Sequence, residues 1–271
     1  MIYRLAGWLP DASMTNSVKA KIKPARSFTG VRHVFANSIK GKAADGTDYD
    51  IPNEPPCFDQ GNYGSCVLNA TVGAAGMVLC VEGKPFTMLS RFFLYALCNE
   101  VMGTPGQDGG TYPALAVDRI GNVGCCAESM WPYDDAHALQ PPTQDCYPEA
   151  SDNKATAWFS LDAQGSDRLA QLETTIRSNH PVIFGTPVDS TIQTYQAGQV
   201  LTIPDQNNLI GGHGIVFTGV RYINGQRCWR VRNSWGTSYG DNGHFLMDDT
   251  WASWVQLSDL WILTAMPAEM F

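Results

Sequence analysis

The chain has 271 residues, 44% of them apolar, and a net charge of −8, enough to bury the core of one large domain or two modest lobes. No run reaches the about eighteen apolar residues of a membrane span, and the start, MIYRLAGWLPDASM, lacks the longer apolar core of a secretory signal. Residues 1–50 hold eight Lys/Arg against four Asp (net +4), and residues 51–271 hold ten against twenty-two acidic residues (net −12), so the body argues against nucleic acid, which needs a basic face.

Residues 1–50 show no sustained hydrophobic period and read as an arm or prosegment, either a loose cationic tail or one whose positive charge draws it onto the acidic body. From residue 66 the run CVLNATVGAAGMVLCV is small and apolar all round, as a helix buried on most faces would be. Ser90 is placed to cap RFFLYALCNEV, and Thr111 or Pro113 opens TYPALAVDRIGNVG. After QPPTQDCYPEAS the pattern changes: Ser166-Asp167 begin a helix, and the short runs PVIFGTPV, HGIVFTGVRY, RCWRVRNSW and GHFLMDD read as strands. The Trp-rich tail TWASWVQLSDLWILTAM is expected to cover core or to return as an edge strand. A mainly helical part over 51–150 followed by a mainly β part over 151–271 is the α+β pattern, with a cleft between two lobes.

Cys66 stands where the glycine-rich loop QGNYGS becomes helix. It reads either as a small buried residue or as a thiolate stabilised by the free N–H groups and the positive dipole end of that helix. His213, in GGHG, opens an apolar strand, and Asn233, in NSWG, ends the next. Such an amide can accept the imidazole N–H and fix the ring, with Trp235 shielding the bond. Thiol, base and orienting group are the parts that acyl transfer requires. The eight cysteines lack the CxxC pairing of a structural zinc site, and no metal or cofactor is implied. His33, His137, His180 and His244 read as solvated or packed.

Gln60 with Gly64-Ser65-Cys66, Gly212-His213-Gly214 and Asn233-Ser234-Trp235-Gly236, in that order, resemble the papain family of cysteine peptidases over roughly residues 50–250. The resemblance implies a two-lobed papain-like fold, helical on one side and an antiparallel β-sheet or barrel on the other, with the site in the cleft. It implies a peptidase acting through a thioester acyl-enzyme: Cys66 as nucleophile, His213 as acid and base, Asn233 orienting it, and Gln60 with the Cys66 N–H holding the oxyanion. Gly109, Gly110, Thr111, Tyr112, Gly212 and Trp235 would meet substrate, with Gly110 pairing its backbone. Leu89-Ser90-Arg91 and Trp131-Pro132-Tyr133 are similar to structural landmarks of the family.

Tyr63 and Gln107 stand where that family has a disulfide, which points to a reducing, cytoplasmic setting, while a bridge Cys98–Cys146 would be the family's other one. The short leader, with GWLPD, resembles those of bacterial or viral members and suggests an arm lying in its own cleft. Expected partners are a peptide or protein substrate and, for a virion-associated or effector role, host or virion proteins. The alternative reading is a papain-like module without peptidase activity, serving as a binding or structural component.

Overall fold

Every residue of the first long helix from Cys66 to Leu79 is buried, which requires protein on all sides of it. The computed structural model describes residues 5–23, the backbone of 26–27, and 46–264; His33 lies outside the described residues. A single-turn helix α1 (Asn16–Lys19) precedes α2 (Cys66–Val81), α3 (Arg91–Met102), α4 (Pro113–Asn122), α5 (Cys146–Asp152), α6 (Gly165–Arg177) and α7 (Asp249–Ala252). The Ser90 hydroxyl accepts from Phe93 N–H at 3.0 Å, as its capping position predicts, and Gly103 ends α3 in the left-handed region at φ 75°. Pro113 starts α4, where its missing N–H costs no helix bond.

The strands are β1 (Arg26–Ser27), β2 (Tyr49–Asp50), β3 (Ala157–Ser160), β4 (Val182–Val188), β5 (Gly211–Ile223), β6 (Gln226–Arg232), β7 (His244–Asp248) and β8 (Ser258–Thr264). They form one sheet in the order β1-β3-β8-β4-β5-β6-β7, with β2 also on β5; all pairings are antiparallel except β1 with β3. Because β2 pairs with β5, the sheet begins before residue 51. The helical side and the sheet each hold a core, and α2 reaches both: Val67 and Leu68 belong to the first, Met77 to the second. This is the α+β architecture expected from the sequence.

Two expectations are corrected. The tail covers core, one of its two expected roles, but does so inside the sheet rather than returning at an edge: β8 lies between β3 and β4. Leu260, Trp261, Ile262 and Leu263 are all buried, and an unbroken apolar run of this kind marks a strand covered on both faces. Nor does the bridge Cys98–Cys146 form; all eight cysteines are free. Cys98 turns to the Thr111 hydroxyl, while Cys146, at the start of α5, meets Cys126 and the Thr143 hydroxyl.

The packing of α2 on β5 sets the separation between the lobes. A Cβ on Gly214 would stand 2.7 Å from Val67 Cγ2 and 3.1 Å from Val67 Cα, so only glycine lets the two elements approach this closely. Overpacking of this kind costs about 1–3 kcal/mol. Gly214→Ala should therefore lose about that much stability in chemical denaturation, with unchanged secondary structure by circular dichroism.

Candidate active site

The loop before α2 is fixed from several directions. Gln60 N–H donates to Ser234 O at 2.8 Å and Gly236 N–H to Phe58 O at 2.8 Å, tying the loop to the segment after β6. Arg91 donates to Asp59 O and to Asn69 Oδ1, and Glu128 holds its guanidinium with two oxygens at 2.7 and 2.9 Å. The Ser65 and Tyr133 hydroxyls lie 2.5 Å apart, and Tyr133 donates to Gln60 O. Gly64 N–H donates to Asp108 Oδ1 at 2.9 Å. Bonds to groups so far apart in sequence leave the loop one conformation, and with it the position of Cys66.

Across the cleft, His213 is fully buried on β5. Its Nε2 lies 2.7 Å from Asn233 Oδ1, and that oxygen also accepts from Ser234 N–H at 2.8 Å. An oxygen accepting from a backbone N–H must be the amide carbonyl, so the imidazole proton resides on Nε2 and Nδ1 offers a lone pair. Nδ1 is buried without a hydrogen-bond partner, as a base awaiting a proton would be. Trp235 stacks on the ring at 5.1 Å with a 28° tilt. Gly214 N–H donates to Cys66 Sγ at 3.3 Å, joining the thiol to the histidine's strand.

The N-terminal arm lies over this thiol. Gly212 N–H donates to Leu5 O at 2.9 Å, Thr111 N–H to Gly7 O at 3.0 Å, and Leu9 N–H to Thr111 O at 3.0 Å. The extended segment 5–9 is thus paired to both walls, in parallel bridges of Ala6 with Gly212 and Trp8 with Thr111. Gly7 crosses the thiol itself: a Cβ there would be 2.6 Å from Cys66 Sγ. The Trp8 indole lies over Gly185 and Gly212, where a Cβ would overlap it, and its N–H donates to Asp259 Oδ2 at 2.9 Å. Asp11 continues the contact, its N–H donating to the same oxygen at 3.0 Å, while its own carboxylate accepts from Trp261 Nε1 at 2.9 Å and Ala114 N–H at 3.1 Å.

This cover reverses the electrostatics expected of the thiol. Burial pushes the Cys66 thiol up to about 11, against the opposing pull of N–H groups of Gly214, Val67, Cys66 and Gly7. Burial likewise pushes His213 down to about 4, against its bond to Asn233. Desolvation therefore outweighs the helix end, and the pair is neutral between those limits rather than thiolate and imidazolium.

Residues 48–259 match the model of the papain family of cysteine proteases. The chain belongs to the papain family. It is 27% identical over 241 residues to an uncharacterized peptidase C1-like protein of Acanthamoeba polyphaga mimivirus, covering 83% of this chain and 76% of that one. It is 28% identical over 204 residues to mouse pro-cathepsin H, covering 71% of this chain but 56% of the relative. Among solved structures, xylellain, a cysteine protease from Xylella fastidiosa, superimposes with a TM-score of 0.73 at 24% identity over 97% of this chain and 98% of that one. Procathepsin L2 from the larval midgut of Tenebrio molitor does so at 0.70 and 17%, over 96% and 78%. Among the described residues no helix is long and apolar enough to cross a membrane.

Within this papain-family site, the structure brings Cys66, His213, Asn233 and Trp235 together with Gln60. The Gln60 amide oxygen accepts from Ser234 Oγ at 2.5 Å and its Nε2 donates to Tyr63 O at 2.9 Å. The pairing role expected of Gly110 falls, for the arm, to Thr111, because Gly110 N–H donates inward to the Tyr95 hydroxyl at 2.8 Å. Gly110 sits directly below the arm, where a Cβ would meet Ala6 O at 2.6 Å, whereas Gly109 has open space. Tyr112 is buried at the start of α4. Tyr63, in the place of the missing half-cystine, donates to Asp135 at 2.6 Å and packs edge-on against Phe92. Sequence reasoning marked the GWLPD segment that holds Trp8 and Asp11 but missed its partner Asp259, because nothing local marks a carboxylate in the tail as a partner of an arm some 250 residues away.

Because Gly7 touches the thiol, any side chain there must lift the arm. With an overpacking cost of about 1–3 kcal/mol, Gly7→Leu should raise the open fraction about five- to 150-fold. The rate at which iodoacetamide alkylates Cys66, followed by peptide mass mapping, should rise by that factor, and an unchanged rate would show that the arm does not guard the thiol.

Proposed function

We propose that the protein is a peptidase that hydrolyses peptide bonds through a Cys66 thioester and is held closed by its own residues 5–11. The observation that carries this reading is the arm: an extended main chain lies across Cys66 and pairs with Thr111 on one wall and Gly212 on the other. A cleft that holds one extended peptide in this way can hold another.

When the arm leaves, water and substrate enter, the desolvation that keeps the pair neutral falls, and the Cys66 proton can pass to His213 Nδ1. The thiolate then attacks the substrate carbonyl carbon, forming the S–C bond and a tetrahedral oxyanion. The Cys66 N–H and Gln60 Nε2 are assigned to that oxyanion; Ser234 and Tyr63 restrict the rotation of the Gln60 amide. The imidazolium gives its proton to the leaving amine as the C–N bond breaks. His213 next takes a proton from water, whose oxygen cleaves the thioester. Asn233 holds the ring in the one tautomer that leaves Nδ1 free for both transfers.

Three outcomes test this reading on a general protein substrate. Cys66→Ala should abolish hydrolysis, and Gln60→Ala should cost about 3–4 kcal/mol of transition-state stabilisation, read as kcat/KM. Trp8→Ala, which empties a buried site worth about 3–5 kcal/mol, should raise the activity of the full chain. Full activity in Cys66→Ala would refute the assignment.

The closed form also has a pH dependence with a definite sign. Burial, then the neighbouring Asp259 carboxylate, push the Asp11 carboxyl up to about 7, against the pull of Trp261, Ala114 and Lys19, and burial raises Asp259 as well. At Asp11 and Asp259 the closed form therefore binds protons more tightly than the open one, so their contribution to closure is fully present at acid pH and is lost as pH rises from about 4 to about 7. The ratio of full-chain to Trp8→Ala activity should climb through that window, and Asp11→Asn should flatten it.

A further inference from the structure

A chain of hydrogen bonds joins the loop before α2 to the wall that holds the arm. Tyr95, on α3, is buried. Its hydroxyl accepts from Gly110 N–H at 2.8 Å and donates to Asp108 Oδ1 at 3.0 Å. The same carboxylate oxygen accepts from Gly64 N–H at 2.9 Å. The direction of every bond is fixed: an amide N–H can only donate and a carboxylate only accept, so the phenol proton goes to Asp108 and a phenol lone pair faces Gly110. Burial, and next to it the Asp108 charge, push the Tyr95 phenol above its ordinary range, so that proton stays in place.

These bonds decide which main-chain groups the wall presents. Gly110 adopts φ 80°, in the left-handed region that favours glycine, and its N–H turns inward to Tyr95. The next residue, Thr111, gives both of its main-chain groups to the arm: its N–H donates to Gly7 O and its carbonyl accepts from Leu9 N–H, each at 3.0 Å. One turn beyond Tyr95 on α3, Asn99 Nδ2 donates to Gln107 O at 2.9 Å and holds the same wall a second time. On the other loop, Gly64 stands two residues before Cys66, and a Cβ there would be 3.0 Å from Asp108 Oδ1. No disulfide joins the two loops, since all eight cysteines are free. Hydrogen bonds in series reinforce one another, and here they link the thiol's loop to the peptide-holding wall.

We propose that Tyr95 and Asp108 are positioning residues that fix Thr111 relative to Cys66 and so hold an extended peptide, arm or substrate, in register with the thiol. For a substrate this rests on the peptidase reading above; for the arm it rests on the bonds just described. Both act through other residues, Asp108 through Gly64 N–H and Tyr95 through Gly110 N–H. Without the phenol hydroxyl the Gly110 peptide has lost its inward acceptor and is free to turn, and Thr111 loses its alignment with Gly7 and Leu9. Weakening those two main-chain bonds shifts closure about tenfold.

The test uses the full chain and the rate at which iodoacetamide alkylates each cysteine, mapped by mass, a readout that does not depend on peptidase activity. Tyr95→Phe keeps the ring and removes the hydroxyl. It should speed alkylation of Cys66 about tenfold without speeding that of Cys98 and Cys125, which are buried in the core of the same lobe. Asp108→Ala should act likewise, and Asp108→Asn, whose amide oxygen can still accept both donors, should restore most of what Asp108→Ala loses. An unchanged Cys66 rate would overturn the proposal, as would equal acceleration of Cys98 and Cys125, the mark of a lobe that has merely loosened. If Tyr95→Phe does not fold, the two Asp108 variants decide by the same rates. In the Trp8→Ala chain, adding Tyr95→Phe should raise KM for an extended peptide about tenfold more than KM for a small acyl ester that reaches Cys66 alone; equal shifts would overturn the role toward substrate. Hydrolysis of neither compound would refute the peptidase reading instead, and the alkylation rates would still decide whether Tyr95 and Asp108 hold the arm in register.

Discussion

The first turn of α2 packs directly against the backbone of Gly214 on β5, and the site depends on that contact. Because Gly214 has no side chain, Val67 packs against its backbone, and because α2 comes that near, Gly214 N–H reaches Cys66 Sγ at 3.3 Å. His213 is the next residue on the same strand, and Asn233 follows β6, the neighbour of β5. One packing constraint therefore sets the positions of Cys66, His213 and Asn233, the proposed nucleophile, base and orienting group. The remaining bonds of the loop before α2, to Ser234, Asp108 and Tyr133, hold what that contact places.

Opposing effects meet at the thiol. Helix end and backbone N–H groups favour the thiolate, and burial opposes it; with Gly7 on the sulfur, burial wins. On the proposed reading, the arm that fills the cleft thus also opposes the ionisation that the chemistry would require. In that reading occlusion and neutralisation share a single cause, exclusion of water, and both would end when the arm leaves. Trp8 and Asp11 anchor it through Asp259 and Trp261, near the end of the described chain, which makes closure a property of the whole fold.

Much of this was legible in the sequence, for identifiable reasons. The motifs that carry the proposed triad are local ones: a glycine-rich turn into a helix, a histidine between glycines opening a strand, an asparagine closing one. The Ser90 cap and the buried helix from Cys66 were legible because caps and periodicity are local. The central place of β8 was not, since an apolar run reads the same at an edge or in the middle until its neighbours are known. The Cys98–Cys146 bridge failed because spacing says nothing of side-chain direction. His244, read as packed or solvated, is indeed packed, but its partner Glu54, 190 positions away, could not be read locally. Contacts at such range are set by topology, and pattern along the chain does not carry them.

The central claim is covalent: a substrate acyl group resides on Cys66 during turnover. It is tested most directly by mixing a chain whose arm has been displaced with a peptide ester, quenching in acid and measuring intact mass and peptide map. The account predicts an added mass equal to the acyl portion, located on the peptide containing Cys66 and released by hydroxylamine as a thioester. Turnover without such an adduct, or an adduct on another residue, would contradict it.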